Sequence, residues 1–154
     1  LALGADVPVC LAGRPARMSG IGERLAPVPR LPEAAVLLVN PRAAVATPAV
    51  FQALKRKDNA ALEVLPPAFG TPAALAAWLS RQRNDLEAPA VTLAPAIGEV
   101  LAATADLPGA RLTRMSGSGA TIFALFDTAA AAEAAGRALA AQNPGWWVRP
   151  TTLR

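Results

Sequence analysis

The segment Ala110-Arg111-Leu112-Thr113-Arg114-Met115-Ser116-Gly117-Ser118-Gly119-Ala120-Thr121-Ile122-Phe123-Ala124-Leu125-Phe126 decides the fold. Ala110 to Met115 alternates apolar and polar residues as a half-buried strand does, and Thr121 to Phe126 reads as a buried strand. Between them, Met115 to Thr121 sets two glycines and two serine hydroxyls into a loop. Gly117 and Gly119 permit positive φ and carry no Cβ, so successive N–H groups can line a concavity suited to a phosphate or another anion. A plain glycine-rich hairpin turn or bulge fits the same residues, because a short Gly-x-Gly is a weak signal. The choice between them rests on the remainder of the chain.

Working outward, Pro95 to Thr104 carries Ile97, Val100 and Leu101 at helical spacing, and Pro108-Gly109 turns into the first strand. After Phe126, Asp127 or Thr128 caps an alanine-rich helix ending near Gln142. Asn143-Pro144-Gly145 then turns the chain into a last strand, Trp146 to Leu153. Further upstream, Thr71-Pro72 opens a helix to about Arg83, with Leu75, Trp78 and Leu79 on one face. Thr47-Pro48 opens another, to Lys55, with threonine as cap and proline at the first helical position. Phe51 on that helix reads by spacing as a core residue, and Asn84-Asp85-Leu86-Glu87 as a structural interruption without chemistry. Ala34 to Val39 is a continuous apolar strand ended by the turn Asn40-Pro41-Arg42. This order predicts an α+β fold, an antiparallel sheet with helices packed on one face.

Nearer the start, Ala16-Arg17-Met18 and the residues around Gly20-Ile21-Gly22-Glu23 form a hairpin, and Val28 to Pro32 is a proline-rich connector. The expected boundary falls there, giving domains 1–30 and 31–154. Before the hairpin, Asp6 is a lone acid in the apolar run Leu3 to Leu11. It either caps a helix or satisfies a turn, as Asp commonly does beside Gly and Pro, or is a carboxylate held on rigid backbone to accept a proton. The residues leave both readings open.

Composition narrows the chemistry. A chain of 154 residues is one domain by length and buries roughly 68–70% of its unfolded surface. Its hydrophobic fraction of 53% is rich in alanine, and 15 prolines cut it into short elements. No apolar run approaches the roughly 18 residues that cross a bilayer and no signal peptide is recognisable, so a soluble, cytoplasmic protein is expected. The net charge of +4 comes from scattered basic residues, with Lys55-Arg56-Lys57 the one run, a weak footprint for nucleic acid. With no histidine and the single cysteine Cys10, His-based triads and Cys/His zinc sites are excluded within this chain. No metal site is expected, and any general base is a carboxylate, a lysine or supplied from outside. The opening at Leu1-Ala2-Leu3, without methionine and inside an apolar segment, is expected of a fragment.

Taken in order, Gly4-Ala5-Asp6-Val7-Pro8, Gly20-Ile21-Gly22-Glu23, Thr47-Pro48-Ala49-Val50-Phe51, Asn84-Asp85-Leu86-Glu87 and Met115 to Thr121 resemble one family. That family is 4-diphosphocytidyl-2-C-methyl-D-erythritol kinase, of the GHMP small-molecule kinases, and the chain resembles its second half. The resemblance implies a ferredoxin-like C-terminal domain after the last strands of an N-terminal catalytic domain. It further implies transfer of the γ-phosphoryl group of ATP to the 2-hydroxyl of 4-diphosphocytidyl-2-C-methyl-D-erythritol, in the non-mevalonate route to isoprenoids. Asp6 would be the catalytic base, and Thr47, Pro48 and Phe51 would bind substrate, with Phe51 stacked on cytosine. Gly117, Ser118, Gly119 and Ala120 would support the phosphate loop. ATP and Mg2+ would be held mainly by the family's N-terminal half, which contributes a lysine, a substrate-binding aromatic and histidine, and a glycine- and serine-rich loop. This stretch alone is accordingly expected to be inactive, and the protein to be a monomer or weak homodimer acting on a small molecule, without nucleic acid or membrane. A second reading is a non-catalytic, ferredoxin-like module whose glycine loop holds a small anion. A third, an RNA-binding domain, rests on the isoelectric point near 10.6 alone.

Overall fold

The computed structural model describes Gly4 and residues 6–153, which divide into two units. Leu1, Ala2, Leu3 and Ala5, part of the apolar run around Asp6, lie outside the described residues. One unit holds the described residues up to Leu31 together with Val64–Phe69, and the other holds Pro32–Glu63 and the described residues from Gly70 to Leu153.

In the smaller unit, helix α1 (Val7–Ala12) carries Pro8 in its first turn and stops at Gly13, whose left-handed φ of 58° lets its N–H reach Val9 O at 3.2 Å. Strands β1 (Ala16–Ser19) and β2 (Arg24–Pro27) form the expected hairpin, with Met18 opposite Leu25. Glu23 closes its turn by accepting the Ile21 N–H at 2.7 Å.

The larger unit runs β3 (Ala34–Asn40), α2 (Thr47–Gln52), α3 (Pro72–Ser80), α4 (Glu87–Leu93), α5 (Ala96–Ala105), β4 (Leu112–Met115), β5 (Ile122–Phe126), α6 (Ala129–Gln142) and β6 (Trp147–Leu153). Its four strands pair in the order β4-β5-β3-β6, all antiparallel. From β3 onward this is the split β-α-β topology of ferredoxin-like folds, with helices in the first crossover and α6 in the second. Strand β3 lies between two neighbours and is covered on both faces, which explains its unbroken apolar run.

Period-2 alternation sends Ala35, Leu37 and Val39 of β3, with Ile122, Ala124 and Phe126 of β5, to one face. There they meet Ile97 and Val100 of α5 and Ala132, Ala135 and Leu139 of α6. Burial of side chains such as Leu37, Ile97 and Phe126 stabilises the fold by about 1.5–3 kcal/mol each. Helix α6 comes close because residue 136 is glycine: a Cβ there would stand 2.9 Å from Leu37 Cδ1. The expected sheet with helices on one face is therefore present, with one addition. Helix α3 packs on the opposite face, where Ala76 and Leu79 meet Val36, Leu112 and Leu125.

The helix ends differ from expectation in instructive places. Thr71 caps α3 and Thr128 caps α6, their hydroxyls accepting from Ala74 N and Ala131 N. Thr47, expected to cap α2, does not: the cap position is Ala46 and Thr47 is the first helical residue. Helix α2 also ends at Gln52 rather than Lys55. Helix α3 ends at Ser80 rather than Arg83: the Arg81 and Gln82 N–H groups close tighter turns onto the carbonyls of Trp78 and Leu79, and their side chains donate to the carbonyls of Ala77 and Trp78.

Candidate functional site

Ser116 to Ala120 links the ends of β4 and β5, where the Ser116 N–H donates to Thr121 O at 2.8 Å and the Gly119 N–H to Ser116 O at 3.0 Å. Gly117 has φ 56° and Gly119 φ 94°, and the Gly119–Ala120 peptide is cis. The two glycines are required for different reasons. A Cβ on Gly117 would meet nothing within 4 Å, so only its left-handed backbone asks for glycine. A Cβ on Gly119 would also stand 2.9 Å from Met115 Sδ and 3.3 Å from Ile97 Cδ1. The loop thus sits directly on the core. Among the described residues, the N–H groups of Gly117 and Ser118 donate to no protein acceptor. Two adjacent free donors on a left-handed turn are a ready partner for an anion.

Helix α2 is joined to this loop. Thr47 Oγ1 and Ser118 Oγ share a hydrogen bond of 2.8 Å, so the hydroxyl expected to cap the helix is instead engaged with the loop tip. Pro48 occupies the first turn of α2, next to Thr47. One turn on, Val50 is fully buried while Phe51 is 51% exposed. That exposure overturns the placement of Phe51 in the core by helical spacing: Val50 takes the inward position, and the ring of Phe51 remains open to solvent.

Three further side chains hold the loop, and sequence reasoning gave none of them a functional role. Asn40, at the end of β3, donates from Nδ2 to Thr121 Oγ1 at 2.9 Å while its Oδ1 accepts the Arg42 N–H at 2.7 Å. Asn84 donates from Nδ2 to the carbonyls of Met115 and Gly117, and Glu87 Oε2 accepts the Met115 N–H at 2.9 Å. Asn40 read as a turn residue and Asn84 to Glu87 as an interruption. Contacts across 81 and 31 positions leave no periodic trace in a sequence.

Asp6 belongs to the smaller unit, exposed and immediately before α1. Its carbonyl accepts the Cys10 N–H at 3.1 Å, but its carboxylate makes no capping hydrogen bond to the helix. The capping role considered for it is therefore absent. Among the described residues, no group of three or more His, Cys, Asp or Glu is arranged to hold a metal ion, and no helix is long and apolar enough to cross a membrane. Arg111 and Asp127 form an exposed ion pair away from the loop, at the opposite ends of β4 and β5. The hydrogen bonds that Arg111 donates to the Asp127 carboxylate, and then the charge of that carboxylate, raise the Arg111 pKa. A shallow depression lined by Glu33, Asp127 and Thr152 opens at that end of the sheet and takes in none of the candidate residues.

This glycine loop on an antiparallel sheet lies in a chain that belongs to the GHMP kinase C-terminal family: residues 50–145 match the GHMP kinases C terminal model. Within it, the chain is similar to 4-diphosphocytidyl-2-C-methyl-D-erythritol kinases. It is 56% identical to that of Dinoroseobacter shibae and 57% identical to that of Paracoccus denitrificans, each over 99% of this chain but only 53% and 55% of the relative. The chain spans about half the length of the curated relatives it matches. A crystal structure of 4-(cytidine 5'-diphospho)-2C-methyl-D-erythritol kinase superposes with a TM-score of 0.71 at 35% identity, covering 97% of this chain and 54% of that one. Homoserine kinase from Cytophaga hutchinsonii, at 21% identity and a TM-score of 0.54, shares the fold over 84% of this chain.

Proposed function

We propose that this chain is part of an ATP-dependent kinase that phosphorylates the 2-hydroxyl of 4-diphosphocytidyl-2-C-methyl-D-erythritol, on the way to isoprenoid precursors. The observation that carries the reading is the hydrogen bond between Thr47 and Ser118. It ties the segment assigned to the nucleoside to the loop assigned to the phosphates, in a chain more than half identical to kinases named for this substrate.

In this reading ATP supplies the γ-phosphoryl group. The free N–H groups of Gly117 and Ser118 fit phosphate oxygens, and the exposed ring of Phe51 fits a cytosine face. Base stacking of that kind is worth about 1–3 kcal/mol. Asp6 accepts the proton of the attacking hydroxyl. Phosphoryl transfer passes through a loose transition state in which the nucleophile needs orientation and late proton removal more than a strong base, so a carboxylate suffices. Mg2+ and most ATP contacts are assigned to residues corresponding to the N-terminal half of the relatives.

By the same reading, residues 1–30 close an N-terminal catalytic domain and 31–154 form the C-terminal domain, acting in the cytoplasm as a monomer or weak homodimer. The separation of the described residues up to Leu31 from those that follow supports this division, with Val64–Phe69 as an added return to the first unit. A substrate panel tests the function. The full-length gene product is expected to consume ATP with 4-diphosphocytidyl-2-C-methyl-D-erythritol and not with homoserine, mevalonate or galactose. Preference for any of those three would overturn the assignment.

A further inference from the structure

Asn84 uses its whole carboxamide on the glycine loop and the turn beside it. Nδ2 donates to Met115 O at 3.0 Å and to Gly117 O at 2.8 Å, while Oδ1 accepts the Leu86 N–H at 3.0 Å. That last bond settles which side of the amide faces the loop, since the oxygen is already committed. Glu87, in the first turn of α4, takes the Met115 N–H at 2.9 Å, and Met115 is itself only 1% exposed. Met115 is therefore held by both backbone polar groups and by its side chain.

Planarity gives this grip a direction. The carbonyl of Gly117 and the N–H of Ser118 belong to one trans peptide and point opposite ways. With the carbonyl drawn toward Asn84, the Ser118 N–H must face away from Asn84, and it is one of the two donors without a protein acceptor. We propose that Asn84 and Glu87 are positioning residues that hold the 115–118 peptides so that these donors meet the transferring phosphoryl group. The inference rests on the kinase reading above.

The test uses the full-length gene product with Asn84→Asp, Glu87→Gln and Glu87→Ala, measuring kcat, KM and thermal midpoint for each. Asn84→Asp sets a carboxylate oxygen against two carbonyl oxygens and releases the peptide. Its kcat is expected to fall on the order of 100-fold, because displacement of a catalytic group by about 1 Å has that effect. KM for the cytidine substrate should stay within about threefold, since the interaction lost belongs to the transition state. Glu87→Gln keeps an oxygen acceptor for Met115 N and should retain nearly full kcat, whereas Glu87→Ala should lose about tenfold.

Variants that melt earlier yet keep wild-type kcat per folded molecule would overturn the proposal and leave the pair purely structural. If Asn84→Asp does not fold, the Glu87 variants decide, and equal kcat for Gln and Ala overturns it. Absence of turnover by the wild type would overturn the kinase reading and this proposal together, whereas normal turnover by every variant would overturn this proposal alone.

Discussion

Thr47 and Ser118, 71 positions apart, share a 2.8 Å hydrogen bond between their hydroxyls at the surface. It joins the start of α2 to the tip of the glycine loop, and it replaces the helix cap that Thr47-Pro48 normally signals. Water can satisfy either hydroxyl once its partner is removed, so Thr47→Val or Ser118→Ala should each lower fold stability by only about 0.5 kcal/mol. Because both remove the same bond, the double variant should be no less stable than the worse single one. Urea unfolding of the four proteins measures this, and fully additive losses would show that the bond contributes nothing.

Phe51 and Val50 are neighbours with opposite surroundings, half exposed and fully buried. Val50→Ala should destabilise the fold by roughly 2 kcal/mol through lost burial and the cavity left behind. Phe51→Ala should leave the unfolding midpoint nearly unchanged but raise KM for the cytidine substrate about 5- to 150-fold, the value of one stacked base. A variant with normal KM would remove Phe51 from the site.

Gly117→Ala and Gly119→Ala separate backbone strain from collision. The first places a methyl group in open space at φ 56° and should cost about 1 kcal/mol of stability. The second adds overlap with Met115 Sδ and should cost roughly 2–4 kcal/mol. Denaturant midpoints give the order, and a larger loss at 117 would contradict the loop geometry.

The ion pair of Arg111 and Asp127 should make no pH-dependent contribution through its arginine in the ordinary range. A cation whose pKa is raised on folding contributes stability that is complete below its unfolded pKa and is lost only as pH rises through the raised value. Both lie above the range in which unfolding is measured. Arg111→Gln should therefore lower the melting temperature by the same small amount at about pH 6 and about pH 10, and by less in about 1 M salt, where exposed pairs are screened. A difference between wild type and variant that grows with pH would contradict this assignment.

Local signals made most of the fold legible. The apolar runs of β3 and β5 and the threonines before Pro72 and Ala129 each act within a few residues and were realised as read, whereas β4 begins at Leu112 and buries Leu112 on one face and Met115 on the other, so its alternation does not mark a half-buried strand. What escaped depends on contacts between distant segments. Helix α3 crosses to the second face because Val36, Leu112 and Leu125 give it an apolar surface there. Thr47 forgoes its cap because Ser118 is in reach, and Asn84 looks like a loop residue until the carbonyls of Met115 and Gly117 stand before it. The candidate site was thus readable as motifs, while the side chains that hold its loop were not.

The most direct test is ATP-dependent phosphorylation of 4-diphosphocytidyl-2-C-methyl-D-erythritol by the full-length gene product, with Asp6→Asn measured beside it. Turnover by the wild type is expected, with kcat reduced at least about 100-fold in the variant while the substrate still binds. No turnover by the wild type would contradict the kinase reading, and full turnover by the variant would take Asp6 out of the chemistry.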